Sequence, residues 1–518
     1  MNTFDAPMRW GGWGDPDRTA TLPESVTALL GSALGVERPG QPIPDAASAK
    51  LPPSRITELP GADSSAGARL AHLRGKSTPD LLKIRAGDVS AVPDAVARPE
   101  SHEEVVALLA ECGQRGIAVV PFGGGTSVVG GLTPETGKPV LALDLARMDQ
   151  LIAFDSESRT ATFGPGARAP QAEKLLNQRG YTLGHFPQSF EYATIGGFAA
   201  TRSSGQASAG YGRFDELVVA LRAATPTGTI ETGRAPRSAA GPDLRQLLLG
   251  SEGAFGVITS VTVAIRPVPE VKHYEGWTFE DFAAGTAAMR SLAQDGPQAT
   301  VLRLSDEFET AIGLSRPGKL GHGAGGCQLI LGFEGTAAEV EAKRAAAGDR
   351  LRALGGEPLG TEPGEAWAHG RFSAPYLRDA LLDAGALVET LETATFWSTI
   401  PDLYEAVREA IVDTLVEGGT PPMVLCHVSH TYPAGASLYF TVVCALGENP
   451  IEQWDAAKKA ASEAIASAGG TITHHHGVGR DHLPWYAAEI GPVGVAALRA
   501  VKQAVDPDGI LNPGVLIP

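Results

Sequence analysis

Three imidazoles stand side by side in Thr473-His-His-His-Gly-Val-Gly-Arg480. Imidazole is the side chain whose charge changes near neutral pH, so His474, His475 and His476 could move protons and orient a substrate. On a strand, His474 and His476 would share one face and His475 the other. The Gly-Val-Gly that follows implies a close backbone approach. The competing reading is a surface histidine cluster or a fortuitous metal site. A second reactive stretch is Cys426-His-Val-Ser-His-Thr-Tyr-Pro-Ala-Gly-Ala-Ser-Leu-Tyr-Phe440. Its Tyr439 offers a phenol with a pKa near 10 unless perturbed, or it is an ordinary strand aromatic. Arg303, in Val301-Leu-Arg-Leu304, and Arg378, in Tyr376-Leu-Arg-Asp379, are either anion-binding cations or members of surface ion pairs.

Glycine loops are the other chemical signal. Pro121-Phe-Gly-Gly-Gly-Thr-Ser-Val-Val-Gly-Gly-Leu132 follows the apolar run Gly116-Ile-Ala-Val-Val120. Such a loop can bring backbone N–H groups close to an anion, typically a diphosphate. It is not a phosphate-binding loop of the Gly-Lys-Ser/Thr kind, because Thr126 and Ser127 follow Gly125 without a lysine. Gly123, Gly125 and Gly130 also miss the dinucleotide spacing. A plain turn between strands is the alternative for this loop taken alone. Two more loops follow: Pro187-Gln-Ser-Phe-Glu-Tyr-Ala-Thr-Ile-Gly-Gly-Phe-Ala-Ala-Thr-Arg-Ser-Ser-Gly205, read as long and irregular, and Leu249-Gly-Ser-Glu-Gly-Ala-Phe-Gly-Val-Ile258. Loops of such length inside a domain are usually functional.

These three loops, in this order, resemble the vanillyl-alcohol-oxidase type of FAD-binding flavoprotein. The resemblance implies that FAD is surrounded by Pro121, Phe122, Gly123, Gly124, Gly125, Thr126 and Ser127. It adds Pro187, Gln188, Ser189, Phe190, Glu191, Tyr192 and Ala193, then Ala200, Thr201, Arg202 and Ser203. Glu252, Gly253, Ala254, Phe255, Gly256, Val257 and Ile258 complete the set. The glycine loop holds no His or Cys, so FAD is expected to be non-covalent. Relatives acting on D-2-hydroxy acids carry a metal motif, His-x-Gly-Asp-Gly-Asn-Leu-His. Here His427 matches its first histidine, the Gly-Asp-Gly core is absent and Tyr439 stands at the second histidine. No metal site is assigned, although His427 and His430 leave room for one.

Within that type the chain is most similar to the alkyldihydroxyacetonephosphate synthase family, over roughly residues 8–513. The resemblance rests on Arg9-Trp-Gly-Gly-Trp-Gly14, Thr431-Tyr-Pro-Ala-Gly-Ala-Ser-Leu-Tyr-Phe440 and the three histidines. It implies that Tyr439 is the catalytic acid/base, that His474, His475, His476 and Arg303 are needed for activity, and that Arg378 binds substrate. The implied reaction replaces the acyl group of acyl-dihydroxyacetone phosphate by a fatty alcohol through a flavin N5 adduct, without net redox change. The alternative is an FAD-dependent oxidase or dehydrogenase of a hydroxy acid or alcohol; a non-catalytic flavin-binding protein is a third reading. The chain departs from the synthase pattern after the histidines, where Arg480-Asp-His-Leu-Pro-Trp485 replaces a basic segment.

The elements that must position these groups read as α+β: a two-part FAD-binding domain and an α+β substrate, or cap, domain. The expected division is 1–85, an N-terminal helical and irregular segment; 86–268, the FAD domain; 269–465, the cap; and 466–518, a segment returning to the active site. A capped helix begins near Val105 and ends near Gly113. Helices are expected over 169–180, 281–294, 337–353, 401–416 and from Leu498 to Pro507. Strands are expected at Glu216–Ala224, Gly256–Pro267, Gln328–Phe333 and Ser437–Cys444. Two tryptophans near the N-terminus, Trp10 and Trp13, are expected to pack onto the body. A net charge of −17 argues against nucleic acid. The four cysteines form no Cys-x-x-Cys pair and read as reduced thiols. No secretory leader or membrane span is legible, and a bacterial cytoplasmic location is expected. The resemblance implies a homodimer, and a lipid substrate implies peripheral membrane contact, though no amphipathic helix announces it.

Overall fold

The computed structural model describes residues 8–313 and 325–518; residues 1–7 of the N-terminal segment and 314–324 of the cap lie outside it. The architecture is α+β. Strands Ala95–Ala97, Val140–Asp144 and Ala118–Phe122 run parallel, with the short Ala62–Asp63 antiparallel at the edge. Apart from the terminal Asp63 and Asp144 these strands are apolar, as expected of a sheet covered on both faces. A five-stranded antiparallel sheet follows, ordered Leu151–Asp155, Thr160–Phe163, Val257–Ala264, Val218–Thr225, Gly228–Glu231. The first glycine loop follows Ala118–Phe122 of one sheet and the third precedes Val257–Ala264 of the other.

The cap is a seven-stranded antiparallel sheet built from residues 271–445. Helices Phe282–Asp295, Ala337–Ala353, Ile400–Glu417 and Pro450–Ser467 cover one face and share its apolar core. Alternation decides what reaches the other face. Cys426, Val428, Leu438 and Phe440 point into the core. Their neighbours His427 and Tyr439 point the opposite way, and directly paired residues share a face. Ser305, His427, Tyr439 and Glu392 are register partners in succession, so one polar row crosses four neighbouring strands.

Four local expectations are corrected. The stretch 187–205 is not irregular throughout: Ile195–Thr201 is a helix, capped by the Thr194 hydroxyl accepting from Gly197 N–H and closed by Arg202 at φ 51°. Two glycines make it a poor helix by propensity; packing overrides this, since a Cβ on Gly196 would stand 2.5 Å from Pro165. The N-terminal half of Glu216–Ala224 is a helical turn, Phe214–Leu217, with the strand starting at Val218. The helix near Val105 runs His102–Arg115, and it ends at Gly116, in the left-handed region at φ 63°, rather than at Gly113. The C-terminal helix is Leu483–Val505, broken at Gly491-Pro492 by a φ of 67° and the proline ring. The other expected helices and strands lie within a few residues of their observed ends. Trp13 is buried against Tyr192, and Trp10 donates to the Pro44 carbonyl.

Candidate active site

The three glycine loops interlock before any ligand is considered. A Cβ on Gly124 would stand 2.1 Å from the Tyr192 carbonyl oxygen, one on Gly123 2.5 Å from the Thr194 hydroxyl, and one on Gly253 2.7 Å from Pro121. Only glycine permits these approaches. Near the C-terminus, Asn512 donates to the carbonyls of Gly131 and Glu252. Glu252 accepts from Val478 and Gly479 N–H, which ties the third loop to the Gly-Val-Gly after the histidines. Burial pushes the Glu252 carboxyl up to about 7 against the pull of those N–H groups. Gly479 itself packs onto the Val129 carbonyl, where a Cβ would be 1.9 Å away.

The histidine triplet is not a strand. The backbone N–H groups of His474, His475 and His476 all turn to one buried carboxylate, Glu392, at 2.6, 3.1 and 2.8 Å, and Thr473 Oγ1 adds a fourth donor at 2.7 Å. The face-sharing expected of a strand therefore does not apply, because the loop wraps around a point. Burial opposes ionisation of Glu392, but the neighbouring imidazoles and the Thr473 hydroxyl hold its pKa well below the usual value. Ligand atoms of Glu392, His474 and His475 lie within 4.8 Å of one another. The carboxylate oxygens are already taken by backbone donors, so this group is an anchor for the loop.

Tyr439 sits among three imidazoles. His427 stacks on it at 4.9 Å between ring centroids, His475 lies at 6.1 Å and His476 meets it edge-on at 5.7 Å. Burial pushes its phenol up to about 12, while a bond with the Thr390 hydroxyl works the other way. Burial also lowers the imidazoles: His427 and His476 fall below their usual range, His430 and His475 well below it, and His474 to about 3. At neutral pH the phenol is therefore protonated and the imidazoles are neutral. His427 Nδ1 lies 3.0 Å from Arg303 Nη2 and 3.3 Å from Glu309 Oε2. One nitrogen cannot accept from the first and donate to the second. Burial and the Arg303 charge favour the neutral ring accepting from Arg303, with the proton on Nε2. Arg303 also pairs with Glu309 and donates to Ser305 Oγ at 2.9 Å. Arg378 donates to Asp379 and to the Lys76 carbonyl.

Loops, polar row and helices enclose one cavity of about 820 Å³. Two sections of the chain match known family models, an FAD binding domain over residues 93–234 and the C-terminal domain of FAD linked oxidases over 268–516. The alkyldihydroxyacetonephosphate synthase of Trypanosoma brucei brucei is 32% identical, with 99% of this chain and 92% of that protein covered. That of Dictyostelium discoideum is 34% identical, covering 87% and 77%. A solved structure of alkyldihydroxyacetonephosphate synthase superimposes with a TM-score of 0.83 at 29% identity, over 99% of this chain and 98% of that one. The chain belongs to the alkyldihydroxyacetonephosphate synthase family. It is an FAD-dependent enzyme.

The cavity fits the family's cofactor. Gly123, Gly124 and Gly125 on one loop and Gly253 and Gly256 on another put backbone on the lining, and Gln188 Nε2 and Trp13 Nε1 are buried there without hydrogen-bond partners among the described residues. Residues 121–127, Pro187–Ser189, Ala193, Ala200, Thr201, Ser203, Glu252, Gly253, Gly256 and Ile258 line it. Phe190, Glu191, Tyr192, Arg202, Ala254, Phe255 and Val257, read as cofactor contacts, do not. Phe190 stacks on Phe372, Glu191 pairs with Arg18 and Tyr376, and Arg202 is bound to Leu249 and Gln246. Ala254, Phe255 and Val257 are core residues. Adjacency in sequence carried them into the set, whereas the second and third loops turn only some of their residues to the cavity. Tyr439, Arg303, Arg378, His475 and His476 line the cavity; His474 stands behind them, its Nε2 2.7 Å from the Tyr432 hydroxyl. Lys76, Gln206, Glu309, Glu389 and Thr390 also line it and carried no motif, and Thr194 lines it from inside the second loop although it was not assigned as a contact. His427 and His430, considered as room for a metal but not assigned to the site, are part of it: His430 Nδ1 lies 2.7 Å from Ser208 Oγ at the bulge in Met423–Thr431.

Proposed function

We propose that the enzyme exchanges the acyl group of acyl-dihydroxyacetone phosphate for a fatty alcohol. One observation carries this reading: an apolar arm begins one residue pair from Tyr439. Along three adjacent strands the cavity face reads His427, Leu425, Met423; Tyr439, Thr441, Val443; and Glu392, Thr390, Val388. All of these except Glu392 line the cavity. The arm extends roughly 13 Å from the polar row at strand rise. The helix Glu24–Leu34 roofs it with Val26, Leu29, Leu30 and Leu34, joined by Leu381. A small hydroxy acid has no use for such a wall, and an alkyl chain does, at about 0.8 kcal/mol per buried methylene.

Bound FAD supplies an electron sink beside the reacting carbon. The chain's own groups handle protons and placement. The Tyr439 phenol, protonated at rest, gives a proton to the departing carboxylate, and its phenolate then takes one from the incoming alcohol. The neutral imidazoles of His475 and His476 accept and return the proton from C1. Glu392 fixes the loop that carries both. Arg303 and Glu309 hold the His427 ring against the phenol. The apolar wall excludes water, so that alcohol rather than water takes the acyl group's place.

A homodimer in the cytoplasm touching a membrane peripherally completes the proposal. No helix among the described residues is long and apolar enough to cross a membrane. The test is incorporation of labelled hexadecanol into acyl-dihydroxyacetone phosphate by the purified flavoprotein. Anaerobic bleaching of the flavin by a simple hydroxy acid, without such incorporation, would overturn the reading.

A further inference from the structure

Lys76 belongs to no motif, yet its side chain lies on the wall of the central cavity. Its backbone is held from both domains. Lys76 N–H donates to the Ser127 carbonyl of the first glycine loop at 2.7 Å, and the Lys76 carbonyl accepts from Arg378 Nη1 at 2.5 Å. Gly75 makes this approach feasible, since a Cβ there would stand 2.2 Å from the Ser127 carbonyl oxygen. A long cationic side chain is thus fixed at its root on the cavity wall.

Its charged neighbours are Arg378, Asp379 and Asp80. Asp379 is already committed: it accepts from Trp13 N–H at 2.5 Å and from Arg378 at 3.1 Å. Asp80 is buried, and its carboxyl is pushed up by that burial. Neither carboxylate forms an ion pair with the ammonium among the described residues. Arg378, the cation assigned to substrate by resemblance, is differently placed. Its Nε, Nη1 and Nη2 are engaged with Asp379 and Lys76, and its side chain is 12% exposed. A partly desolvated ammonium without an ion-pair partner among the described residues is costly. Burial, with Arg378 adding, draws its pKa down to about 8, which an arriving anion would reverse.

We infer that the Lys76 ammonium is the direct contact for the phosphate of the substrate, and that Arg378 is a positioning residue that holds Lys76 in place. This rests on the proposed reading of the cavity as a site for a phosphate-bearing substrate. A phosphate monoester and the FAD diphosphate share the chemistry that Lys76 would recognise, so the test separates them.

Holoenzyme is titrated with dihydroxyacetone phosphate and with dihydroxyacetone, by calorimetry and by perturbation of the flavin absorbance. Lys76→Met should weaken dihydroxyacetone phosphate at least about tenfold, the value of a charge-assisted contact. It should leave dihydroxyacetone and the FAD dissociation constant unchanged. Lys76→Arg should restore phosphate binding, which loss of fold would not allow. Loss of FAD in Lys76→Met would overturn the inference in favour of a cofactor contact, and so would unchanged phosphate affinity. If hexadecanol exchange occurs in the wild type while Lys76→Met binds dihydroxyacetone phosphate normally, the inference fails and the functional reading stands. If exchange is absent but Lys76→Met still loses the phosphate, the anion contact stands and the reaction is another.

Discussion

A protonated phenol ringed by neutral imidazoles is a poor base until something lowers its proton affinity, and that is the residue-scale logic of this site. Tyr439 has the hydroxyl and the imidazoles have the acceptor nitrogens. Tyr439→Phe removes one oxygen and leaves ring packing intact. It should keep bound FAD, seen by its absorbance, and lose roughly 10²–10⁴-fold in turnover; unchanged turnover would make Tyr439 a packing residue. Glu392 acts one step further back. Glu392→Ala would leave three backbone N–H groups of the histidine loop buried without acceptors, costing at least about 3 kcal/mol at the lower end of the usual range. Its thermal midpoint should fall clearly below that of wild type, and Glu392→Gln, which keeps one acceptor, should lie between. Equal midpoints for all three would show that the loop does not depend on this carboxylate.

At the scale of elements, period-two alternation does two jobs on the same strands. It separates the cap core from the cavity face, and along that face it passes from His427 and Tyr439 to Met423 and Val443 within four residues. The arm can therefore be blocked without touching the acid/base group. Val443→Trp should abolish exchange of hexadecanol while retaining measurable exchange of butanol; equal losses on both would deny the arm a role in holding the chain. One of these strands was legible, at Ser437–Cys444; its partner Met423–Thr431 was not read as a strand. Which face held the apolar arm was not legible, because its roof is the helix Glu24–Leu34, some four hundred residues away in sequence.

Across the whole molecule, many ionisable groups are buried in states that acid disturbs. His185 and His474 are lowered by burial to about 3 and His482 to about 4, and His430 and His475 fall well below their usual range. An unfolded histidine titrates near 6.5. Above that value these rings are neutral in both states; as pH falls below it, only the unfolded chain takes up protons, and stability is lost progressively toward the folded values. Glu252 and Asp306, raised by burial to about 7, work in the opposite direction, since the folded state holds their protons until pH rises through 7. Burial also lowers His102, His427 and His476 and raises Asp80, Glu173, Glu389 and Asp455, so between pH 5 and 6.5 eight histidines oppose six carboxyls. The thermal midpoint of the holoenzyme should therefore drop as pH is lowered from 6.5 to 5; a flat or rising profile would show that the imidazoles are not held neutral.

The pattern of elements along the chain was enough for the α+β class, and the three glycine loops and the histidine triplet each stand within one short segment; FAD and the role of Tyr439 came from the family resemblance those segments carry. Tertiary structure decided what those segments do together. The triplet is shaped by Glu392, which is 82 positions away from His474 and indistinguishable in sequence from any strand glutamate. Seven of the twenty-five residues read as cofactor contacts pack rather than line the cavity, because a loop's neighbours in space are chosen by the chains it crosses. Lys76 has no signature at all: its importance comes from Ser127 on one side and Arg378 on the other. Local periodicity and steric limits are properties of a segment, whereas charge environment, burial and the company a side chain keeps exist only once distant segments have been brought together.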